Sequence, residues 1–294
     1  MRQAAIPFGG EEAGPADPGR ARFVLLPVPY ERTTTYRRGT AAGPEALLRA
    51  SAQVECFDEE VGLDPLRDGV LTLPALAPDE PPEVVARIVE EQVRPFLRVG
   101  GGVGCLGGEH SISLGPIRAA ARRCPGLGVL QIDAHPDLRD SYEGTRYGHG
   151  CVMSRVLDLE EVGVVVGVGL RALSTEEDAR MKGDRRIRPF FAHRLRGRPA
   201  REWVGEVVDA LPSDVYVTVD VDGLDPSVVP GTGTPEPGGL GWGDALTLLR
   251  EVCRRRLVAF DVVELLPEPP SVRSDFVAAR LVMKILAYAT AGGA

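Results

Sequence analysis

The sequence predicts an α/β fold in which one parallel sheet is covered by helices on both faces. Short apolar runs alternate with longer segments of helical periodicity along most of the 294 residues. No internal repeat and no linker-like segment interrupts this alternation, which indicates a single domain. We expect an irregular arm over residues 1–20, which are rich in glycine, proline and acid, and one domain over residues 21–294.

The predicted strands are short apolar runs, and the predicted helices carry apolar residues at three- and four-residue spacing. Pro44 stands at the first position of the helix predicted over 45–54, where proline is favourable. Pro95 is expected to kink the helix predicted over 82–97 or to end it early. In chain order the patterns predict strand 23–27, helix 45–54, helix 82–97, strand 103–106, helix 114–123, strand 128–133, helix 152–157, strand 164–168, helix 176–182, helix 200–211, strand 215–221, helix 242–256, strand 258–263 and helix 276–289.

The composition argues against several classes of partner and location. A formal net charge of -8 disfavours nucleic acid and anionic membranes as main partners. The five cysteines are scattered and form no C-x-x-C pair, which fits reduced thiols in the cytoplasm. No apolar run approaches the roughly 20 residues that span a bilayer. The acidic N-terminal segment does not resemble a signal peptide. We therefore expect a cytoplasmic protein.

Polar residues follow four of the predicted strands at the point where each strand ends. Open parallel sheets bind ligands beyond the carboxyl ends of their strands, so these residues are expected to share one site. Asp133, His135 and Asp137 can project together if strand alternation persists, and Asp220 and Asp222 can do so on another strand. The four segments are Gly107-Gly108-Glu109-His110-Ser111, Asp133-Ala134-His135-Pro136-Asp137, Asp220-Val221-Asp222-Gly223-Leu224-Asp225-Pro226 and Glu264.

Acids gathered at buried strand ends require a compensating charge, because an unpartnered carboxylate there costs several kcal/mol or becomes protonated. Two divalent cations would balance four carboxylates, and histidines would complete the shells as neutral donors. Mixed oxygen and imidazole ligands suit manganese, iron, cobalt, nickel or zinc. A lone D-x-D motif or histidine is weak evidence, but three of the four histidines fall within residues 110–149. The candidate ligands are His110, Asp133, His135, Asp137, Asp220 and Asp222, whereas His193 is interpreted as structural.

These motifs resemble those of the ureohydrolase family, the arginases and agmatinases. The resemblance covers nearly the whole chain, from Gly39 to the last predicted helix. It implies a three-layer α/β/α sandwich with an eight-stranded parallel sheet, two manganese ions, and a homo-oligomer, either a trimer or a hexamer. The segments that carry it are specific in combination: G-G-E-H-S, D-A-H-P-D, V-D-V-D-G-L-D-P and G-T-G-T-P-E-P-G-G-L.

The resemblance also implies a role for each site residue. One metal would be held by His110, Asp133, Asp137 and Asp220, and the other by His135, Asp133, Asp220 and Asp222, so that Asp133 and Asp220 bridge them. Such a pair would lower the pKa of a water molecule, and the resulting hydroxide would add to the guanidinium carbon, so that urea and an amine are released. Glu264 would grip the guanidinium, and His149 would relay a proton to the leaving amine, unless it is a loop histidine without a role.

One departure from the family is Glu109, where aspartate is usual, and this change is expected to affect the surroundings of His110 and the choice of metal.

The segment 138–147 is expected to face the far end of the substrate. It offers Asp140 and Glu143, which would attract an ammonium group and repel a carboxylate, and the chain has no asparagine of the kind that arginases use there. Agmatine, cleaved to putrescine and urea in polyamine biosynthesis, is therefore the first candidate substrate. Aminopropylagmatine follows, and guanidinobutyrate and arginine trail. The alternative is that the two acids pair with Arg139 and Arg146.

Two other functions remain open at this level. A deacetylase with one zinc shares the D-x-H element, although His110 together with Asp220 and Asp222 favours two metals. A catalytically inactive homologue that acts as a binding module would usually have lost a ligand, and none of the six is missing.

Overall fold

The computed structural model describes residues 5–13, 17, 19–97 and 102–292, and its centre is one eight-stranded sheet. All neighbouring strands pair in parallel, in the order β2-β1-β3-β8-β7-β4-β5-β6. The strands are β1 Phe23–Val28, β2 Val70–Thr72, β3 Gly102–Gly107, β4 Leu127–Ile132, β5 Val162–Leu170, β6 Ile187–Phe191, β7 Asp214–Asp220 and β8 Arg256–Val263.

Helices cover both faces of the sheet, as the alternating pattern predicts. The helices are α1 Gly43–Ser51, α2 Pro82–Val93, α3 Leu114–Arg123, α4 Val152–Leu157, α5 Thr175–Gly183, α6 Ala192–Leu195, α7 Ala200–Asp209, α8 Trp242–Val252 and α9 Arg273–Gly292. One apolar core lies between the sheet and α1, α7, α8 and α9, and a second lies between the sheet and α2, α3 and α4. This is a three-layer α/β/α sandwich.

Local signals explain several element boundaries. Pro44 lies in the first turn of α1, and α2 stops at Val93, where Pro95 forces a short 3-10 turn over Arg94–Phe96. Ser174 and Glu177 form a reciprocal capping box at the start of α5.

The two edge strands, β2 and β6, and the four-residue helix α6 are absent from the sequence prediction. β2 has three residues, and β6 carries Pro189, so neither shows a clear strand pattern.

The N-terminal segment is partly described. Residues 1–4, 14–16 and 18 of the expected irregular arm lie outside the described residues. Within the described part, Phe8 is fully buried in the first apolar core, and Gly10–Ala13 forms a 3-10 turn. None of the helices over the described residues combines the length and apolar character that crossing a bilayer requires.

Strands β3, β8, β7 and β4 are neighbours at the centre of the sheet. Their carboxyl ends carry all four of the polar segments identified in the sequence. The topology therefore brings residues from four distant parts of the chain to one edge of the sheet.

Candidate metal centre

The end of β3 directs His110 into the site through a close approach of two backbones. A Cβ on Gly108 would lie 2.1 Å from the carbonyl oxygen of Tyr30, so only glycine fits there. His110 then opens a short 3-10 turn, and its Nε2 lies 2.9 Å from the Thr218 hydroxyl. That hydroxyl donates to Asp261, at 2.6 Å, and therefore accepts from Nε2–H. In the neutral ring this leaves the lone pair on Nδ1.

The Nδ1 atom of His110 faces carboxylates in the interior. It lies 3.0 Å from Asp137 Oδ2, 3.2 Å from Asp133 Oδ2 and 3.6 Å from Asp220 Oδ2. It is buried and makes no hydrogen bond of acceptable geometry to any described residue. A buried nitrogen surrounded by carboxylate oxygens, without a bond of its own, fits a metal ligand.

The segment after β4 reaches the site by a route other than the expected one. β4 ends at Ile132, so the expectation that Asp133, His135 and Asp137 alternate along a persisting strand is wrong. Instead the chain turns on itself: the His135 backbone N–H donates to Asp133 Oδ1 at 2.6 Å, and Asp137 adopts a positive φ of 52°. Such a φ is unusual outside glycine and is retained most often at functional sites.

Asp220 and Asp222 converge by a similar turn at the end of β7. Asp220 is the last strand residue, and its Oδ1 accepts the backbone N–H of Asp222 at 2.9 Å, which begins a 3-10 turn. Strand alternation therefore does not align these two acids either. A Cβ on Gly223 would lie 2.5 Å from the backbone nitrogen of Asp133, so this glycine lets the two loops meet. The contact is completed by the Ala134 N–H, which donates to Asp222 Oδ1 at 3.0 Å.

The ligand-type atoms form two overlapping groups. In each group, one atom from each residue lies within 4.8 Å of the others. Asp133 belongs to both groups. Asp137 lies next to the first group, because its Oδ2 is 3.0 Å from His110 Nδ1. The groups are His110, Asp133 and Asp220, and Asp133, His135 and Asp222.

The electrostatics of the cluster show how strongly it requires positive charge. Burial lowers the pKa of His135, but hydrogen bonds to Asp133 and Asp222 outweigh this and raise it to about 12. Burial and repulsion from Asp133 raise the pKa of Asp137 to about 7. Burial and repulsion from Asp222 hold the pKa of Asp220 well above its usual range. Divalent cations would supply the charge that protons otherwise provide.

Glu264 lies beside the metal-ligand candidates, immediately after β8. It is a buried, non-glycine residue with a φ of 63°. Its backbone N–H donates to Gly108 O at 2.7 Å, and its Oε1 accepts the His110 backbone N–H at 2.7 Å. No described residue hydrogen-bonds to Oε2, and burial raises the pKa of this carboxyl well above its usual range. A buried carboxylate with a free oxygen can accept a cationic donor.

His149 faces the same cavity from the turn His149–Cys151. Burial lowers the pKa of its imidazole below the ordinary value. The cavity encloses about 300 Å³ and is open to solvent on one side. It is lined by the site residues His110, His135, Asp137, Asp220, Asp222 and Glu264, and by a second set of residues that includes Thr34, Thr35, Tyr36, Arg37, Arg139, Tyr142, Ala172, Leu173, Glu177 and Thr234.

Asp140 and Glu143 do not line this cavity. Asp140 Oδ1 accepts hydrogen bonds from Arg146 and Arg155, each at 2.8 Å, and Glu143 is exposed on a tight turn. The pairing alternative thus holds for Asp140, with Arg155 in place of Arg139. Arg139 instead lies over the Tyr142 ring, 4.6 Å from its centroid.

Sequence reasoning missed the threonine segment after β1. Thr34 and Thr35 line the cavity, and Thr33 contacts His149. The signal was present, because Thr33-Thr34-Thr35 follows a strand end like the four polar segments that were identified.

Comparison with known proteins identifies the family. The Arginase family model matches residues 21–288. The chain belongs to the arginase family.

Relatives within the arginase family match this chain over most of their length. The N(1)-aminopropylagmatine ureohydrolase of Synechocystis is 39% identical over 277 residues, which are 91% of this chain and 89% of that protein. The protein of the same name from Thermus thermophilus is 35% identical over 283 residues, covering 93% and 91%. The crystal structure of the agmatine ureohydrolase of Thermoplasma volcanium has a TM-score of 0.86 at 29% identity and covers 99% of this chain and 96% of that chain.

This arginase-family chain is therefore a ureohydrolase, and its eight-stranded parallel sheet with flanking helices is the fold of its structural relatives. The family depends on a binuclear metal centre, and the His and Asp groups described above are of that type. The family match favours a ureohydrolase over a deacetylase with one zinc, and nothing in the comparisons supports an inactive binding module.

Proposed function

We propose that this protein cleaves urea from a linear guanidinoalkylamine, with N(1)-aminopropylagmatine as the first candidate substrate and agmatine as the second. The observation that carries the proposal is the position of Glu264, which lines one cavity together with five of the six candidate ligands and has one carboxylate oxygen without a hydrogen bond to any described residue. We rank aminopropylagmatine ahead of agmatine, which the sequence motifs alone favour, because the relatives at 39% and 35% identity carry the name N(1)-aminopropylagmatine ureohydrolase.

The candidate ligands fit two divalent cations, for which we propose manganese. His110, Asp133, Asp137 and Asp220 would hold one ion, and His135, Asp133, Asp220 and Asp222 the other. The unpartnered Nδ1 of His110 and the excess of buried carboxylates support this assignment. When bound, such a pair supplies Lewis acidity and a hydrolytic nucleophile at neutral pH.

Glu264 would bind and orient the guanidinium group. Its backbone and one carboxylate oxygen are anchored to the β3 turn, so the second oxygen has a defined direction. A carboxylate accepts charge-assisted hydrogen bonds from the guanidinium fork, and low solvent access strengthens them. Binding of this cation offsets the cost of keeping Glu264 charged in a buried position.

His149 would transfer a proton to the leaving amine. Its lowered pKa keeps the ring neutral at neutral pH, so it can take up a proton during hydrolysis and pass it to the departing nitrogen.

The second set of lining residues suits an alkyl chain that ends in an amine. Leu173 and Ala172 provide apolar surface, and the threonine hydroxyls and tyrosine rings can contact an ammonium group. The two arginines of this set already have carboxylate partners: Arg37 pairs with Glu268 at 2.8 Å, and Arg139 lies 4.0 Å from Glu177. Neither arginine therefore needs a carboxylate on the substrate as its partner.

Urea release after manganese loading tests the proposal. The panel contains N(1)-aminopropylagmatine, agmatine, arginine and guanidinobutyrate, and the last ends in a carboxylate where agmatine ends in an aminomethyl group. We expect kcat/KM for the amine-tailed compounds to exceed that for the carboxylates by at least about tenfold, which corresponds to about 1.4 kcal/mol. An Asp133→Ala preparation controls for contaminating urea release.

The panel separates the possible errors. Equal rates with agmatine and guanidinobutyrate would show that the proposed preference for an amine tail is wrong. Absence of urea from every compound, in protein that holds two metal ions per chain, would contradict the activity itself. We also propose a cytoplasmic homo-oligomer, supported by the family resemblance, and light scattering on the purified protein tests the oligomeric part.

A further inference from the structure

The hydroxyl group of Thr33 lies between Glu109 and the imidazole ring of His149. Thr33 Oγ1 is 2.8 Å from Glu109 Oε1 and 3.1 Å from His149 Nδ1. It also accepts the backbone N–H of His149 at 3.0 Å. One hydroxyl thus connects the turn after β3, the loop after β1 and the loop that carries His149.

Glu109 is an acceptor in every hydrogen bond that its side chain makes with the described residues. Its Oε2 accepts the backbone N–H groups of Arg32 and Thr33, each at 2.6 Å. Its Oε1 accepts the hydroxyls of Ser111, at 2.5 Å, and Thr33. The side chain is fully buried, and a carboxylate has about four acceptor positions, so all of them are filled by donors.

This arrangement fixes the direction of the Thr33 hydroxyl. A threonine hydroxyl has one hydrogen and two lone pairs. The hydrogen must point to Glu109, because two acceptors would otherwise face each other at 2.8 Å. The lone pairs then receive the backbone N–H of His149 and its ring Nδ1, which must carry a proton.

We propose that Thr33 and Glu109 are positioning residues that hold neutral His149 as the Nδ1–H tautomer, so that Nε2 presents its lone pair to the substrate. No described residue hydrogen-bonds to Nε2, and the ring lines the cavity beside the ligand cluster. Tyr142 packs edge-on against the ring, with centroids 5.9 Å apart, and limits its rotation. The catalytic use of Nε2 rests on the proposed ureohydrolase activity, whereas the tautomer itself does not.

Glu109 thus has a role different from the expected one. Its carboxylate makes no contact with the His110 ring, among the contacts described, but holds the Thr33 loop against His149. The side chain therefore supports the candidate proton relay more directly than it supports the metal ligand next to it in sequence.

Nitrogen NMR of the imidazole rings tests the tautomer. The protein is loaded with zinc, which is diamagnetic, and His149→Gln identifies the His149 signals among the four histidines. We expect a protonated Nδ1 and a bare Nε2 in the natural chain and in Thr33→Ser, which keeps the hydroxyl. Thr33→Val keeps the shape and removes the hydroxyl, so its His149 ring should shift toward the other tautomer.

Kinetics on the manganese-loaded variants test the consequence. Thr33→Val should lower kcat by about tenfold or more with KM within about twofold, because general acid–base catalysis contributes roughly a hundredfold or more. Thr33→Ser should restore most of kcat. A protonated Nε2 in the natural chain, or a Thr33→Val variant with unchanged spectrum and kcat, would overturn the inference. So would a rise in KM at constant kcat, which indicates a role in substrate binding.

Failure of the proposed activity has a separate signature. A natural chain that releases no urea and shows the Nδ1–H tautomer refutes the substrate assignment and still supports the role of Thr33 and Glu109 in holding the ring. A natural chain that releases urea and shows the Nε2–H tautomer supports the proposed activity and refutes the role of Thr33 and Glu109 in holding the ring.

Discussion

Asp133 is the residue on which both ligand groups depend. Its Oδ2 faces the His110 ring and accepts from the Gln131 side chain at 2.8 Å, and its Oδ1 accepts the His135 backbone N–H. It is fully buried, and it is common to both groups of ligand atoms. Its carboxylate therefore has a part in the geometry of both candidate metal positions.

Replacing Asp133 with alanine should remove metal and activity together. We expect metal content per chain, measured after dialysis, to fall and urea release to drop to background, because both ions lose a shared ligand. Asp209→Ala, at the exposed end of α7, is the matched control and should keep both. Full urea release by Asp133→Ala would refute the bridging role.

Glu264→Gln should separate substrate binding from metal binding. The amide keeps the size of the side chain but loses the charge that pairs with a guanidinium. A hydrogen bond to a charged group is worth about 1.5–3 kcal/mol, so kcat/KM should fall by about 10- to 150-fold. Metal content should stay at the level of the natural chain. Unchanged kcat/KM with agmatine and aminopropylagmatine would remove Glu264 from the site.

For individual residues, the sequence predicts which side chains form the site better than it predicts their directions and backbone conformations. Motif spacing identified the six candidate ligands and Glu264, since each lies at or just after the end of a strand that the pattern predicts. It could not show that Asp140 turns toward Arg146 and Arg155, because the direction of a loop side chain depends on partners that are distant in sequence. Nor could it show that Asp137 takes a positive φ, which non-glycine residues seldom adopt.

At the scale of elements, helix α9 is fixed to the loop after α1 by a buried lysine. Lys284 is 2% exposed and lies 3.0–3.2 Å from carboxylate oxygens of Asp58, Glu59 and Glu60. Burial alone lowers the pKa of Lys284, but hydrogen bonds to these three acids raise it above the ordinary value. The ion-paired lysine thus contributes stability at neutral pH.

Lys284→Met should destabilise the fold by about 3–5 kcal/mol, because it leaves the buried Asp58 without its cation. The chain has one other lysine, Lys182, which is 74% exposed and pairs with Asp178 one turn away. Lys182→Met is therefore the matched control and should change stability by about 0.5 kcal/mol or less. Urea unfolding of both variants measures the difference. Equal effects would show that the buried cluster contributes nothing beyond a surface pair.

The pH dependence of this contribution follows from the direction of the shift. A lysine whose folded-state pKa is raised contributes stability below its unfolded pKa of about 10.4 and loses it as pH rises through the folded value. The difference in stability between the natural chain and Lys284→Met should therefore be constant near neutral pH and shrink in strongly alkaline solution.

Elements differ in how well the sequence predicts them. α3 and α4 match their predicted bounds. Helix α8 stops at Val252 instead of residue 256, since Arg256 already pairs with β7 as the start of β8. Edge strands β2 and β6 bury one face at most and so lack the continuous apolar run that marks central strands. The bounds of these elements depend on pairing between strands that are distant in sequence.

At the scale of the whole molecule, the sheet order places four acid-bearing strand ends side by side. Folding of the metal-free chain must bury these carboxylates against protonated histidines, and the pKa of His135 near 12 reflects that balance. A histidine whose pKa is raised stabilises the fold below its unfolded pKa of about 6.5 and loses that contribution as pH rises toward the folded value. A metal ion must displace the same proton, so metal binding releases protons and tightens with rising pH.

Manganese should therefore raise the melting temperature of the protein, and the rise should be larger at about pH 8 than at about pH 6. One site at a hundredfold excess of metal over its Kd adds about 2.7 kcal/mol, which corresponds to about 4–5 °C for a chain of this size. Calorimetry with and without manganese at both pH values measures the shift, and Asp133→Ala should show none. A shift of equal size at both pH values would mean that the ion binds without displacing a proton and would contradict the coupling that the raised pKa of His135 predicts.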